Sequence, residues 1–449
     1  MNRRSVVGWC ILFLMTVRPA AGQQSEGTAV PITIAQALEE ALSANPSLKA
    51  SEARRAVAES KTTEARSILL PQIKLSGRAA YLSEVPEFKF TLPPPIGTQT
   101  LFPSIVRNYG ARVTLQQTVF SGFRTWKQLE IAEHSASAAA LEYDRDRSDL
   151  ALKVTTAYWN LYRASRFEQV IAETQRQVAA HLEDVKHFQK QGMATDVDVL
   201  KVQTRLSNIR VQHIEAQGNV RLAQMSLSSI IGRPLDQMLV PSDSPDVNLN
   251  LPVGGEDLGH VMAQAKAQRS EVSAAREHRA IQEAAVVAAR GGWYPQVVLQ
   301  ANYDYARPNP RVIPPKDAWE KSWDIGLLVQ WNIWDWFATS SQTAQAEAGL
   351  SQSEALMTQV NDAVALEAAQ SYYKVREAKE RIEAATLGTH QAEETQRITK
   401  EKFQQGVASN TDLLDSEVAL LQARLAETQA SVDYVVQIER LKRAMGELR

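Results

Sequence analysis

The 449-residue sequence contains one pattern twice. The segment Leu-Pro-Gln-Ile at 70–73 returns as Tyr-Pro-Gln-Val at 294–297, and Gly192 returns as Gly406 farther along the chain. The spacing between matching residues changes only within about residues 82–110, a proline-rich stretch that is expected to be a loop and can hold an insertion. The chain is therefore expected to fold as two related units.

Each copy predicts the same order of helix, strand, strand, helix and helix. In the first copy these elements are expected at about 32–68, 72–81, 109–120, 122–189 and 196–231. In the second copy they are expected at about 256–290, 296–305, 322–334, 337–403 and 410–445. Pro46 predicts a break in the first helix. The predicted repeats are residues 23–232 and 256–449, with a linker at 233–255.

The fourth element of each copy is an unusually long helix. No proline occurs between Ser121 and Phe188, so a continuous helix would be about 100 Å long at ~1.5 Å per residue. Its apolar residues, such as Leu150, Val154 and Leu161, recur at alternating spacings of three and four. A seam with this period makes helices coil around one another. The helices alone leave open a rod-shaped, spectrin-like protein.

The strands favour a different architecture from a rod. Ile73 and Leu75 alternate with Lys74, and the segment 323–334 alternates in the same way. One apolar face and one polar face over about ten residues are typical of transmembrane β-barrels. Six of the nine tryptophans lie at 293–336, which suits aromatic girdles at the membrane surfaces. A soluble sheet packed on a core is the alternative.

Four strands are too few to close a membrane barrel, since bacterial barrels start at about eight. Open strand edges cannot lie in lipid, because their backbone groups would have no hydrogen-bond partners. The chain is therefore expected to oligomerise, with four strands from each copy and with the long helices extending the barrel as a helical tube.

The first 22 residues are typical of a secretory signal peptide. Arg3 and Arg4 precede a short apolar run at 6–17, and small residues at 20–22 offer a cleavage site. Cys10, the single cysteine, lies inside the apolar run and not behind it, so it is a poor lipidation site. The run is shorter than the ~20 residues of a spanning helix, and no later segment is predicted to span a membrane as a helix.

Composition and motifs argue against two other classes of protein. The 49 Lys and Arg residues balance 51 Asp and Glu residues, whereas nucleic-acid binders usually carry a basic excess. The sequence has no P-loop, HExxH, nucleophile-elbow or CxxC motif. His181 and His187 are spaced so that they do not share a helix face for a metal. No enzyme activity, cofactor or metal site is predicted. The alternatives to an oligomeric tube in a membrane are a secreted coiled-coil scaffold without a pore and a cell-envelope enzyme.

This arrangement resembles the TolC-like outer membrane efflux protein family. The resemblance covers nearly all of the chain after the signal peptide, and it rests on the duplicated element order and on short motifs. These motifs are Leu70-Pro71 and Tyr294-Pro295, Gly192 and Gly406, Asp198-Val199-Leu200 and Asp412-Leu413-Leu414, and Gly232-Arg233-Pro234. It implies a mainly α-helical fold with transmembrane β-strands. The trimer would form a twelve-stranded barrel in the outer membrane of a Gram-negative cell, continued by a long α-helical barrel in the periplasm.

The resemblance also implies a function and partners. The chain would be the exit duct of a tripartite efflux pump or a type I secretion system, conducting substrates passively to the exterior. Its partners would be two further copies of itself, a periplasmic adaptor (membrane fusion) protein, an inner-membrane transporter of the RND, ABC or MFS type, and outer-membrane lipid. No nucleic acid is expected among them.

The turns at Gly192 and Gly406 are expected at the tips of helical hairpins. Glycine there ends a helix in the left-handed conformation, and Thr195 and Ser409 are expected to cap the helices that follow. In the family that the chain resembles, these periplasmic tips bind adaptor hairpins. The resemblance implies the same docking role for the two glycine turns.

The resemblance further implies an acidic periplasmic entrance. Asp412 and Asp415 lie three residues apart on one helix face, so a trimer would hold two carboxylate rings. Like charges crowded at a constriction attract cations; the alternative is a solvated pair favoured by the helix dipole. Asp198 is the counterpart of Asp412 in the first copy.

A second feature of the entrance departs from the family. Phe403 and Ala408 fall where some members hold a tyrosine and an arginine that bond to the neighbouring hairpin. Neither side chain can make such a polar bond, so a closed entrance must be latched differently or less tightly.

The alternation of the strands predicts one polar face that lines the lumen. The candidates are Lys74, Ser76, Arg78, Gln300, Asn302, Asp304, Asp324, Gln330 and Asn332. A strand register shifted by one residue would turn this face toward the lipid, so the prediction depends on the pairing of the strands.

Overall fold

The computed structural model describes residues 29–245 and 257–448. The expected signal peptide at 1–22 and residues 246–255 of the expected linker lie outside these ranges. No helix in the described part of the chain is both long and apolar enough to cross a membrane.

The first half follows the predicted order and adds short strands to it. Its elements are β1 (Val30–Ile32), α1 (Ile34–Ala44), α2 (Pro46–Ser67), β2 (Gln72–Tyr81), β3 (Phe88–Thr91), β4 (Thr98–Phe102), β5 (Arg107–Phe120), α3 (Arg124–Lys190) and α4 (Asp196–Ile231). The break before Pro46 is present: Asn45 is extended, and its side chain accepts a hydrogen bond from the backbone of Ser47.

The second half repeats the first closely. Its elements are β6 (Leu239–Pro241), α5 (Leu258–Gln268), α6 (Ser270–Arg290), β7 (Gln296–Arg307), β8 (Glu320–Gln330), α7 (Ala338–Gln404) and α8 (Asn410–Met445). Helices α3 and α7 have 67 residues each, and α4 and α8 have 36 each. The equal lengths confirm that the two copies fold alike.

The long helices lie side by side in one layer. Helix α3 packs on α4 and on α8, and α8 packs on α7, so the order is α4-α3-α8-α7. Toward the sheet, α2 packs on α3, and α6 packs on both α3 and α7. Predicted heptad residues such as Leu150, Val154, Leu161 and Val178 are buried in the seams. Helices α4 and α7 are therefore the outer members of the layer.

The main sheet has four antiparallel strands in the order β2-β5-β7-β8. Its register aligns Lys74 with Thr114, Thr114 with Asn302, and Asn302 with Asp324. Strand β5 leads into α3 and β8 into α7, so the sheet continues directly into the helical layer. Strands β2 and β8 are its edges, and each has one unpaired side in the described chain.

The last strand is shorter than the sequence predicts. Strand β8 ends at Gln330, not at residue 334, so Asn332 lies outside the sheet. The reason is the entry into α7: Asp335 accepts hydrogen bonds from the backbone and the hydroxyl of Thr339, at 2.8 and 2.5 Å. The chain is already turning toward the helix before the predicted strand would end.

The prediction of one continuous helix at 256–290 is wrong. The chain breaks at Arg269, which has an extended backbone although no proline is present. Its buried guanidinium pairs with Glu271 at 2.6 Å and with Glu367 of α7 at 2.5 Å. Glu271 is a local partner, but Glu367 is distant in the sequence, so part of what holds the break cannot be found from the local sequence.

Two short pairings were also not predicted. Strand β6, which falls inside the expected linker, pairs in parallel with β1, and α3 contacts β6. Strands β3 and β4 form a hairpin within the first proline-rich loop. Part of the linker is therefore ordered by pairing with a distant strand, and part of the loop by pairing with itself.

Candidate functional site

The two hairpin tips have the same backbone geometry. Gly192 and Gly406 have positive φ angles of 79° and 72°, as predicted. A Cβ atom at either position would meet no other atom within 4 Å, so the left-handed conformation, and not lack of space, requires glycine. The backbone N–H groups of Met193 and Val407 close each tip by bonding to carbonyls of the preceding helix.

Each tip leads into a capping box, in which two residues satisfy each other's backbone N–H groups. Thr195 pairs in this way with Asp198, and Ser409 pairs with Asp412. Hydrogen bonds from the Thr195 and Ser409 side chains and backbone lower the pKa of Asp198 and Asp412. Both carboxylates are therefore bound to their own helix ends, whereas Asp415 lies one turn farther and is exposed.

The two tips of one chain also contact each other. The ammonium group of Lys201 lies 3.3 Å from the hydroxyl of Thr411, and the amide of Asn410 donates to the carbonyl oxygen of Asp198 at 3.3 Å. These contacts join the start of α4 to the start of α8. The structure thus brings the predicted tip residues of both copies into one place.

Phe403 does not stand free at the tip. Its ring centroid lies 5.3 Å from that of His181 and 5.5 Å from that of Phe188, both on α3, in edge-to-face geometry. Phe403 therefore packs between the two hairpins of the same chain. The position that is expected to lack a polar latch is occupied by an aromatic contact.

The sheet brings the predicted polar residues onto one face. Thr114 donates to Asn302 at 2.9 Å, and Asn302 donates to Asp324 at 2.9 Å, in a row that begins at Lys74. Gln300 lies beside this row and contacts Asn302 at 3.4 Å. The prediction placed these residues on one face, and the register shows that they form a connected ladder.

A second row crosses the sheet beside the first. Arg112 of β5 pairs with Asp304 at 2.6 Å, and Ser76 is aligned with Arg112. Arg78 lies on the same face, opposite Gly110. Arg112 and Thr114 are not among the predicted residues of this face, although polar residues alternate along β5 as they do along β2 and β7.

The loop between β7 and β8 covers part of this polar face. Asn309 is 1% exposed and donates to the backbone of Glu320 and to the hydroxyl of Ser322, both at 3.0 Å. Arg311 donates to the backbone of Trp323 at 2.6 Å and pairs with Asp324 at 3.3 Å. A cavity of about 580 Å³ remains between this loop, β4 and the polar face.

The opposite face of the sheet is apolar and uncovered. Leu75 is 76% exposed and Trp323 69% exposed, and both lie within a continuous run of apolar side chains. Exposed aromatic residues gather where the sheet joins the helices: Trp126, Trp293, Tyr294, Trp331, Trp334, Trp336 and Phe337. An apolar face bounded by aromatic side chains suits a strand layer in lipid. With the polar opposite face, these features define a channel protein of the outer membrane.

The comparison with protein families agrees with this class. The model of the family described as "Outer membrane efflux protein" matches residues 37–233 and again residues 261–447. The chain belongs to the outer membrane efflux protein family. The two matches correspond to the two copies seen in the sequence and in the fold.

Individual relatives cover most of the chain. The outer membrane protein TolC of Vibrio cholerae is 21% identical over 416 residues, which span 92% of this chain and 91% of that protein. Protein CyaE of Bordetella pertussis is 23% identical over 423 residues, 93% and 84% of the two chains. The crystal structure of VceC from Vibrio cholerae superposes with a TM-score of 0.77 at 20% identity, covering 92% and 96%. The fold is that of TolC-like channels.

The family also gives the function in outline. The protein is an outer-membrane exit duct of an efflux or secretion system, with a large periplasmic helical part. The family consists of channel proteins, not of enzymes.

Proposed function

We propose that three copies of this chain form one continuous duct that conducts substrates passively from the periplasm to the exterior. The observation that carries the proposal is the uncovered apolar face of the sheet together with its two open edges, β2 and β8. An open edge in lipid leaves backbone groups without partners. Pairing β8 of one copy with β2 of the next removes both edges and closes a ring.

The helices support the same head-to-tail contact. Helix α4 carries an exposed apolar stripe along one side: Val197, Leu200, Val211, Ile214, Leu222 and Met225. Helix α7 carries a second exposed set: Leu356, Leu366, Tyr373, Leu387 and Ile398. These are the two outer helices of the layer, so each stripe faces away from the chain's own core. Packing one stripe on the other would bury both.

We assign the polar face of the sheet to the lumen. Lys74, Arg78, Gln300 and Asp324 share a face with the Arg112–Asp304 pair, and the lipid-suited side chains lie on the other face. Ser76 and Gln330 have the same parity. Asn332 is not included, because it lies beyond β8.

The tips are the proposed entrance and the docking site for the periplasmic adaptor. Met193 and Val407, directly after the two tip glycines, are 65% and 73% exposed. Exposed apolar side chains at both tips suit a protein partner. An inner-membrane transporter, which supplies the transport energy, completes the assembly. Asp415, with Asp198 and Asp412 beside it, would give the entrance its negative charge.

Conductance tests this proposal directly. Protein extracted in detergent should migrate as a heat-sensitive trimer and should give discrete, cation-preferring steps in a planar bilayer. Small, flickering steps are expected if the entrance is nearly shut. A protein that dissolves without detergent and gives no steps would contradict the duct and would favour a coiled-coil scaffold.

A further inference from the structure

The cavity between the polar face of the sheet and the loop that joins β7 to β8 has a volume of about 580 Å³. Sites for small organic ligands usually measure about 300–1,000 Å³. Across the floor of the cavity, the strand register aligns Arg78 with Gly110 and Gly110 with Ala306. A Cβ atom at Gly110 would lie 3.4 Å from that of Ala306, so larger side chains at these two positions would take up the space above them. The cavity therefore depends on two small residues that follow one another across the sheet.

The upper wall of the cavity is apolar, although the face of the sheet below it is polar. This wall contains Phe102 of β4 and Pro310, Val312 and Ile313 of the loop. Phe102 is 47% exposed and Ile313 is 76% exposed in the described chain. Exposed apolar side chains that line a cavity gain free energy when an apolar ligand covers them.

Two guanidinium groups reach the cavity from its floor. Arg78 of β2 and Arg112 of β5 are diagonal neighbours on the polar face, which places their backbones about 7–8 Å apart. Only Nε of Arg112 bonds to Asp304, at 2.6 Å, and the terminal nitrogens of Arg112 have no partner among the described residues. The side chain of Arg78 has neither an ion pair nor a hydrogen bond within the described ranges. Among the described residues that line the cavity, Asp304 is the one carboxylate, so the cavity has a net positive charge.

Contacts within the loop and with β8 hold the loop in place. Arg307 and Asp317, near its two ends, form a bidentate ion pair with distances of 2.8 and 3.0 Å. The rings of Tyr305 and Trp319 stack with their centroids 4.9 Å apart. The amide of Asn309 donates to the backbone of β8 at 3.0 Å. A wall that is already formed costs a ligand less ordering entropy on binding.

We propose that this cavity binds amphipathic organic anions. A carboxylate or sulfonate group lies between Arg78 and Arg112, and the apolar part of the ligand packs against Phe102 and Ile313. The planar guanidinium group suits this role, because it donates two parallel hydrogen bonds to a carboxylate. The inference rests on the proposed duct, since cargo reaches the cavity only if the polar face lines the lumen. It gives the duct a class of substrate that passes this site on its way to the exterior.

Lys74 shows why the cavity, and not charge alone, defines the site. Lys74 lies on the same strand and on the same face as Arg78, four residues away. It is exposed, but it does not line the cavity and has no apolar wall above it. An anion attracted only by the charge of the lumen would respond to both residues. An anion held in the cavity would respond to Arg78.

The test is the equilibrium binding of three matched probes to detergent-extracted trimers, measured by dialysis with empty micelles subtracted. The probes are 1-naphthoate, its neutral amide 1-naphthamide, and the cation 1-naphthylmethylammonium. Hydrogen bonds to charged groups in a site are strong enough that naphthoate should bind at least about tenfold more tightly than naphthamide. The ammonium probe should bind most weakly, because it meets a net positive charge.

Variants locate the binding on the cavity. Arg78→Gln should weaken naphthoate binding about tenfold or more and leave naphthamide binding nearly unchanged. Lys74→Gln is the matched control, since it removes one positive charge from the same face outside the cavity, and it should leave both affinities unchanged. Phe102→Ser removes apolar contact, so it should weaken both probes alike. Phe102 lies in the hairpin of β3 and β4, outside the main sheet, so this variant keeps the test decisive if Arg78→Gln does not assemble.

The outcomes separate the anion site from the duct. Equal binding of naphthoate and naphthamide by the wild type, or an equal loss in Lys74→Gln and Arg78→Gln, would overturn the anion site. Unchanged binding of both probes by Phe102→Ser would also overturn it. Discrete conductance steps from the same trimers test the duct independently of any probe. Trimers that bind naphthoate as expected but give no steps would overturn the duct, and with it the role of the site in export.

Discussion

At the scale of single residues, the three carboxylates near the tips differ in their hydrogen bonding. Asp198 and Asp412 are held by Thr195 and Ser409, and these bonds keep their pKa low. Asp415 is exposed and takes no part in the capping box. Two acidic residues that share a helix face, such as Asp412 and Asp415, therefore do not have to share one role.

Asp415→Asn tests the electrostatic part of the entrance without touching the cap. If three Asp415 carboxylates ring the entrance, this change should reduce the preference for cations and the block by multivalent cations. Reversal potentials in a salt gradient measure the effect. Asp412→Asn is the comparison: it should weaken the start of α8 and change selectivity less. A stronger loss of cation selectivity in Asp412→Asn would indicate that Asp412, and not Asp415, forms the carboxylate ring.

Gly406→Ala tests the backbone of the second tip. Alanine in the left-handed conformation costs about 1–2 kcal/mol, so the tip should fray and its amides should exchange faster with deuterium. Gly388→Ala is the matched control, since Gly388 has equal room for a Cβ atom but lies inside α7 with no positive φ. There alanine should stabilise the helix by up to about 1 kcal/mol. Equal effects of the two changes would contradict the conformational explanation.

At the scale of elements, the outer helices show why the single chain is incomplete. Helix α4 buries one seam against α3 and leaves a second apolar stripe exposed. Helix α7 does the same beside α8. A helix that is apolar on two sides needs a partner on each side, and no part of the described chain covers the exposed stripes of α4 and α7.

Ile214→Glu should prevent assembly of the trimer. Ile214 is exposed in the single chain but would be buried between protomers, where an unpaired carboxylate is costly. Sedimentation in detergent measures the oligomer. Gln212→Glu adds the same charge to the same helix at an exposed site off the stripe, and it should leave the trimer intact. A stable Ile214→Glu trimer would exclude α4 from the interface.

The loop that covers the polar face should narrow the outer part of the lumen. Asn309→Ala and Arg311→Ala remove the bonds that hold it to β8, so single-channel conductance should increase. Arg66→Ala breaks an exposed ion pair with Glu133, between α2 and α3 and away from this loop, and serves as the control. If Asn309→Ala and Arg311→Ala both conduct like the wild type, the loop does not restrict the lumen.

At the scale of the whole molecule, conduction and docking are separable. Met193→Lys and Val407→Lys place charges on the exposed tips, so they should abolish efflux in cells by preventing contact with the adaptor. The trimer and its conductance in a bilayer should stay unchanged, because neither side chain packs in the chain's own core. Ala35→Lys, which adds the same charge at an exposed site on α1, is the control. Full efflux by both tip variants would place the docking surface elsewhere.

Much of the architecture follows from the sequence by itself. The repeat predicts two similar halves, the proline-free run with its heptad seam predicts α3, the repeat carries this prediction over to α7, and alternation predicts which side chains of β2 and β7 share a face. These features depend on periods of about 3.5 and 2 residues, which can be recognised within a single short segment of the sequence. The tip glycines are equally local, because a left-handed residue ends a helix wherever it occurs.

The remaining features depend on contacts between segments that are distant in the sequence. The break at Arg269 is held by Glu367 of another helix, and the loop between β7 and β8 reaches the polar face through Arg311 and Asp324. His181 and Glu417 meet only because the two hairpins pack together. No local sequence period predicts such pairs, because the two side chains interact only after the helices and strands have packed together. The sequence determined the elements and their faces, and the tertiary structure decided where the helix breaks and which charges are buried together.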